Sequence, residues 1–396
     1  MSRAVALSSH DLGPFFGPGH DALAGRLTAE ALAPLAREHD AARAARTLGA
    51  LGLYAYLVPE AHGGAPTNAR EGARAATYVD VRSLVLVREA LGQVSPLADA
   101  IFAVQGLGAY PIVLAGSEAQ RRRCLPGVLS GERIGAFALT EPEAGSDVAS
   151  LRTTARREGD GWVLDGEKTL ISNVPIAHHH VVFATVDPGL GSKGITAFLV
   201  ERDAPGLALA EIPMSTPHPL GRLRLEGCRV AGGALIGEVG RGFALAMETL
   251  DAFRISVGAA ACGMAWSALF ASIEHVTQRR QFGAPLADQQ IVRAYLAEMA
   301  TELDAARLLV VRAAHLRDTR PAGSARVSTE AAMAKMFATE AAQRIIDRAV
   351  QLHGGAGVCL GSEVERLYRE IRPLRIYEGT TEIQKLIIAK GLLSQI

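Results

Sequence analysis

Apolar residues recur at three- and four-residue spacing from residue 21 to residue 129, a period that predicts helices. Leu23, Leu27, Leu32 and Leu35 form one stripe, and Leu84, Val85, Val87, Leu91 and Val94 form another. Val58-Pro59-Glu60-Ala61-His62-Gly63-Gly64 separates the helices with strong turn chemistry, and Leu125-Pro126-Gly127 reads as a second break. Between residues 134 and 236 the period shortens. A short apolar run at 134–139 is followed by Asp160-Gly161 ahead of Trp162-Val163-Leu164, a hairpin signal, and strand-like runs continue at 181–184, 195–200 and 223–225. A small antiparallel β domain is predicted there. Helical spacing returns after Gly242, with helices expected at 243–278, 287–317, 325–352, near 362–370 and at 381–393, and a loop at Arg320-Pro321-Ala322-Gly323. The fold expected is mostly α with a middle β domain: a helical domain over 1–133, the β domain over 134–236 and a C-terminal helical bundle over 237–396.

Composition narrows the functional classes. Lys plus Arg and Asp plus Glu are 41 each, so the net charge is zero and no basic stripe argues for nucleic acid. Arg121-Arg122-Arg123 reads as a solvated helix end. Cys124, Cys228, Cys262 and Cys359 lie far apart with no CxxC spacing, as expected of reduced thiols in a cytoplasmic protein, and residues 1–12 do not resemble a secretory signal. Residues 255–273 are uncharged and long enough to span a bilayer, but they are rich in Ala, Gly and Ser; a buried core helix is expected, with no membrane insertion. In His178-His179-His180 only alternate residues of a strand share a face and no carboxylate is near, so a solvent-facing strand entry is expected and no metal.

Candidate chemistry concentrates at Tyr377-Glu378-Gly379-Thr380, which places one carboxylate on a turn before the closing helix. Gly379 has no side chain to block a substrate, and Thr381 with Gln384 has the spacing of a capping box. That placement suits a general base, although an ordinary turn has the same composition. The run from Phe137 to Asp147 offers hydroxyls at Thr140 and Ser146 between small residues, able to meet a large polar-edged ligand or to form a plain β-turn. Leu170-Ile171-Ser172-Asn173 closes the hairpin begun at Trp162. Gln278-Arg279-Arg280-Gln281-Phe282-Gly283, with Gln290 beyond, carries guanidinium groups that could hold a pyrophosphate or merely complement a helix dipole. The glycine cluster in Gln351-Leu352-His353-Gly354-Gly355-Ala356-Gly357 allows close backbone approach, but it follows a helix and is no dinucleotide fingerprint.

In order along the chain, Val58-Pro59-Glu60, Thr140-Glu141-Pro142, Gly145-Ser146-Asp147 and Tyr377-Glu378-Gly379-Thr380 give nearly the whole sequence the look of the acyl-CoA dehydrogenase family of flavoproteins. The resemblance implies FAD bound non-covalently and a homotetramer, or a homodimer. It implies that Phe137, Leu139, Thr140, Gly145 and Ser146 line the flavin and the acyl entrance, and that Leu170, Ile171 and Ser172 lie against the isoalloxazine. Arg279, Phe282 and Gln290, with Gln351, Leu352, His353, Gly354 and Gly355, would hold the FAD of a neighbouring subunit, and Thr380 and Glu382 would complete that site. Asp251 and Arg254 match positions that meet the pantetheine or nucleotide part of the thioester.

Glu378 matches the catalytic base, removing the α-proton while a hydride leaves the β-carbon for flavin N5, with the Glu378 N–H and a ribityl hydroxyl polarising the carbonyl. One branch of the family carries its base just before the arginine matched by Arg254; here that residue is Phe253. The implied reaction converts an acyl-CoA to a trans-2-enoyl-CoA, with an electron-transfer flavoprotein as acceptor. Dehydrogenation of an acyl group on a carrier protein is the alternative, and a flavin oxidase or monooxygenase on the same fold is a further one. Three positions depart from the family pattern: Leu170 replaces an aromatic residue, residues 213–220 replace a glycine-arginine-serine run, and Glu382 replaces a glutamine.

Overall fold

The computed structural model describes residues 12–66, 78–320 and 327–394. The readings of residues 1–11, of the 321–323 loop and of a helix start at 325 lie outside them. The N-terminal part is built from helices α1 (Pro18–Arg26), α2 (Ala29–Leu32), α3 (Ala41–Ala50), α4 (Val81–Val94), α5 (Pro96–Ala115) and α6 (Glu118–Ser130). Side-chain caps start five of them: Thr28 accepts from the Ala31 N–H, Asp40 from Arg43, Asp80 from Ser83, Ser95 from Ala98, and Ser117 forms a capping box with Gln120. The break expected at Leu125-Pro126-Gly127 does not occur. Helix α6 runs through Pro126, which sits on the exposed face where water can satisfy the carbonyl it leaves free, and stops at Gly131, whose φ is 78°. Arg121 to Arg123 therefore lie inside this helix and not at its end; Arg123 reaches across to Glu201 at 2.7 Å.

The middle part is one eight-stranded sheet of β1 (Gly135–Ala138), β2 (Thr154–Glu158), β3 (Gly161–Ser172), β4 (His179–Thr185), β5 (Ile195–Glu201), β6 (Leu207–Glu211), β7 (Leu220–Val230) and β8 (Leu235–Ile236). Its order is β6-β7-β3-β2-β4-β5-β8, with β1 paired to β4. Most pairs are antiparallel, as expected, but β1 and β2 each run parallel to β4. The hairpin turn is Gly159-Asp160, one residue earlier than the sequence suggests, since Gly161 already pairs with Glu158. Strands β2 and β6 went unanticipated because one is charged and the other is a half-exposed edge strand, so neither shows clean alternation. The solvent-facing histidine entry holds for exposed His178 alone. His179 and His180 are fully buried inside a sheet covered on both faces, and burial pushes their imidazoles down to about 3 and about 4, so both are neutral.

Helix α7 (Gly242–Gln278) opens the C-terminal part, followed by a small hairpin of β9 (Arg280–Gln281) and β10 (Ala284–Pro285) and by helices α8 (Gln290–Thr319), α9 (Ser328–His353), α10 (Glu363–Ile371) and α11 (Thr381–Leu393). Helices α5 and α7 are long and apolar enough to cross a membrane, but 83% and 89% of their apolar windows are buried inside the fold. Their apolar surface forms the core that α4, α5, α7, α8 and α9 share. Helix α5 also lies directly on β1: a Cβ at Gly108 would meet the Gly135 carbonyl carbon at 2.7 Å, so this contact needs glycine. That approach brings the helical core and the sheet together along one cleft.

Candidate active site

The turn before α11 has an unusual backbone. Glu378 adopts φ 52° and Gly379 φ 92°, and a left-handed glutamate costs on the order of 1–3 kcal/mol. Donors from three helices hold it there. Lys335 Nζ of α9 and Gln384 Nε2 of α11 both donate to the Gly379 carbonyl at 2.8 Å, while Arg254 Nε of α7 reaches the Glu378 carbonyl at 3.4 Å. A Cβ on Gly379 would meet Gln384 Nε2 at 2.5 Å, so any other residue there would displace that amide as well as strain the backbone. The expected capping box does not form, and the cap itself lies one residue earlier. Thr380 is the N-cap, accepting from the Ile383 N–H; Thr381 Oγ1 donates instead to Glu340 at 2.7 Å, and buried Gln384 is spent on the turn's carbonyls.

Glu378 lines a cleft of about 180 Å³, and its Oε2 is buried and without a hydrogen-bond partner among the described residues. Burial raises the proton affinity of this carboxyl, and the positive charges of Arg88, Arg254 and Lys335 oppose the rise. Arg88 is fully buried in a bidentate pair with Asp99, at 2.8 and 2.9 Å, and donates to Ser256 Oγ at 3.1 Å. Burial lowers Lys335 to about 8, and the negative charge of Glu378 is the strongest influence opposing that fall. None of Arg88, Asp99 or Lys335 was singled out from the sequence, and Gln384 was read only as a capping partner. The only signal of the first three was a charge in or beside an apolar helical run, as in Val85-Leu86-Val87-Arg88 and Ala334-Lys335-Met336-Phe337.

The other wall of the cleft comes from the sheet. Phe137, Leu139, Thr140, Gly145, Leu170, Ile171 and Ser172 all line it, facing Ala100, Ala103, Val104 and Leu107 of α5. The loop after β1 is pinned from beneath: buried Lys168 donates to Glu141 Oε1 at 2.7 Å and to the Leu139 carbonyl at 3.1 Å, and the Glu141 carboxylate accepts from the Arg152 and Thr153 N–H groups. Leu170 sits in a β-bulge between Lys168 and Ile171, at φ 55° and 58% exposed, which turns its side chain out of the sheet and into the cleft. His218, from the 213–220 stretch that departs from the family pattern, lines the same cleft. Ser146 is exposed and lies outside the lining.

Asp251 and Arg254 lie behind the turn. They pair with each other at 2.8 Å, and neither lines the cleft. Phe253 is fully buried, edge-on to Tyr110, so it belongs to the core. The remaining site candidates form a second group, at the far ends of α7 and α9. Arg279 caps α7, Phe282 projects 94% exposed at φ 54°, and Gln290 opens α8. The rings of His275 and His353 stack at 4.4 Å and tie that end to Gln351, Leu352, Gly354 and Gly355. No member of this group lines the cleft around Glu378. Glu382 is exposed in the first turn of α11, beside the Thr380 cap.

Three family models match the chain: the acyl-CoA dehydrogenase N-terminal domain over residues 21–132, the middle domain over 136–228 and the C-terminal domain over 240–393. A 3-(aryl)acrylate reductase of Clostridium sporogenes is 38% identical, covering 86% of this chain and 88% of its own. The human mitochondrial short-chain specific acyl-CoA dehydrogenase is 40% identical, covering 88% of this chain and 82% of its own. Among solved structures, the butyryl-CoA dehydrogenase of Megasphaera elsdenii superposes with a TM-score of 0.86 at 32% identity, covering 96% of this chain and 99% of that one.

Proposed function

The chain belongs to the acyl-CoA dehydrogenase family of oxidoreductases acting on CH–CH groups, and from that premise we propose that it dehydrogenates the α,β bond of an acyl-CoA thioester with Glu378 as the base. One observation carries the assignment: a strained, clamped turn sets Glu378 in the wall of the cleft, with a buried carboxylate oxygen that has no partner among the described residues. A carboxylate so desolvated is a stronger base than one in water, and the nearby cations Arg88, Arg254 and Lys335 keep it from being protonated permanently. Its own N–H, fixed by the same turn, is the donor we assign to the thioester carbonyl.

The family is FAD-dependent, and the residues of the cleft fit a flavin ring. Leu139, Leu170 and Ile171 present apolar surface, and Thr140 and Ser172 bring hydroxyls, as a flat ring with polar edges requires. A bound flavin supplies the hydride acceptor. We assign Arg279, Phe282, Gln290 and residues 351–355 to the dinucleotide of a neighbouring copy, with Thr380 and Glu382 beside it. Exposure of Phe282 and Arg279, away from the cleft of their own chain, supports that assignment and a homotetramer built on it. Arg254 and Asp251 serve the thioester indirectly, by holding the turn. The protein is assigned to the cytoplasm, with an electron-transfer flavoprotein as acceptor.

Anaerobic titration of the FAD-loaded protein with a panel of acyl-CoAs and acyl-carrier thioesters tests the reaction. Bleaching of the flavin by acyl-CoAs is expected. Bleaching by carrier-bound acyl groups alone would move the substrate to a carrier protein. Indifference to every thioester, with rapid reoxidation of reduced flavin in air, would replace the dehydrogenase by an oxidase.

A further inference from the structure

Of the side chains that line the cleft, His218 alone carries ring nitrogens. Its backbone is held unusually firmly. Pro217 and Pro219 flank it and restrict both its neighbours and itself to extended conformations. The Pro219 carbonyl accepts from the Asn173 N–H at 2.6 Å, and the Asn173 amide is anchored in turn on the Ile101 and Gly135 carbonyls. At the other end of the loop, Arg369 of α10 donates to the Ser215 carbonyl at 2.5 Å. The outcome is a 2.7 Å hydrogen bond between His218 Nε2 and Ser172 Oγ, both facing the cleft.

Ser172 has a single hydroxyl hydrogen, and His218 decides where it goes. Burial pushes the imidazole down to about 4, so the ring is neutral near pH 7 and exists as one of two tautomers. With the proton on Nε2, His218 donates to Ser172 Oγ and the hydroxyl hydrogen is free to donate into the cleft. With the proton on Nδ1, Nε2 accepts the hydroxyl hydrogen and Oγ offers only lone pairs. The exchange moves one proton between the ring nitrogens through water and leaves the net charge unchanged. A flavin edge makes the matching demand: its ring nitrogen is an acceptor when oxidised and an N–H donor when reduced.

We propose that His218 is a positioning residue that sets the direction of the Ser172 hydroxyl toward the flavin edge, one tautomer serving the oxidised ring and the other the reduced ring. The inference rests on the flavin-dehydrogenase assignment above.

Its test is the flavin reduction potential and visible spectrum of FAD-loaded wild type, His218→Leu, His218→Gln, Ser172→Ala and the His218→Leu/Ser172→Ala double variant. Each of His218→Leu and Ser172→Ala is expected to change the oxidised-to-reduced equilibrium about tenfold in the same direction, about 30 mV for a two-electron couple. The double variant should go no further than either single one, and His218→Gln, whose amide can donate or accept, should recover most of the shift. A wild-type potential in His218→Leu, or effects that add in the double variant, would overturn the inference while leaving the dehydrogenase in place. A wild-type chain that takes up no FAD would overturn both.

Discussion

The turn at Glu378 and the paired ends of α7 and α9 carry comparable densities of candidate functional residues, yet they are built in opposite ways. Around Glu378 the supporting polar groups are turned inward and engaged, Lys335, Gln384 and Arg254 on the turn's carbonyls, Arg88 on Asp99 and Ser256, Lys168 on Glu141, while the Glu378 carboxylate keeps an oxygen with no partner among the described residues. At the α7 and α9 ends the candidates face outward, with Arg279 and Gln351 exposed and Phe282 nearly bare. A buried polar network is worth its desolvation only when its members are satisfied, so the first region is a finished half-site. An exposed aromatic beside guanidinium groups is the composition of an interface, which is the basis for proposing the second region as a half-site for another copy.

Substitutions that act on one region and spare the other test this contrast. The largest effect is expected from Glu378→Gln, which should lower the rate of flavin bleaching by acyl-CoA by about 10³-fold or more while FAD retention stays at the wild-type level. Stopped-flow bleaching across pH sharpens it. Because burial raises the Glu378 carboxyl above its ordinary range, the wild-type rate should climb as pH rises through that raised value and the base loses its proton. An unchanged rate in Glu378→Gln would put the base elsewhere.

A smaller effect, in the opposite region, is expected from Arg279→Ala: about tenfold to a hundredfold weaker FAD binding on titration of the apoprotein, with weaker assembly in sedimentation, since a charge-assisted contact contributes about 1.5–3 kcal/mol. A fully flavin-loaded, stable assembly in that variant would break the contrast between the regions.

Gly379→Ala should be the mildest in binding terms, but it strikes the turn itself. With φ at 92° and Gln384 Nε2 in the way, it should cost about 1–3 kcal/mol of stability in thermal or denaturant unfolding. Gln384→Ala in the same background should relieve part of that cost by removing the clash, and a full additive penalty would show that backbone strain alone is responsible.

Much of this could be read from the sequence because it rests on local chemistry. The shift from helical to strand period located the sheet, and the closing helix at 381–393 emerged with the predicted bounds because its cap and apolar period lie within a few residues of each other. The readings that failed depended on neighbours far along the chain. Pro126 looked like a break until its exposed face showed that the lost hydrogen bond falls toward solvent. His179 and His180 looked solvent-facing until β4 was found between β1, β2 and β5. Gln384 looked like a capping partner until the turn claimed its amide.

Residue type and spacing were therefore enough to establish the helix–sheet–helix plan, the family resemblance and Glu378 as the candidate base, because those signals lie in short contiguous motifs. Which charges surround that carboxylate, why its backbone tolerates a left-handed conformation, and that His218 meets Ser172 across 46 residues were settled by packing. Desolvation and hydrogen bonding depend on what lies within a few ångströms in space, and no periodicity along a chain encodes that distance.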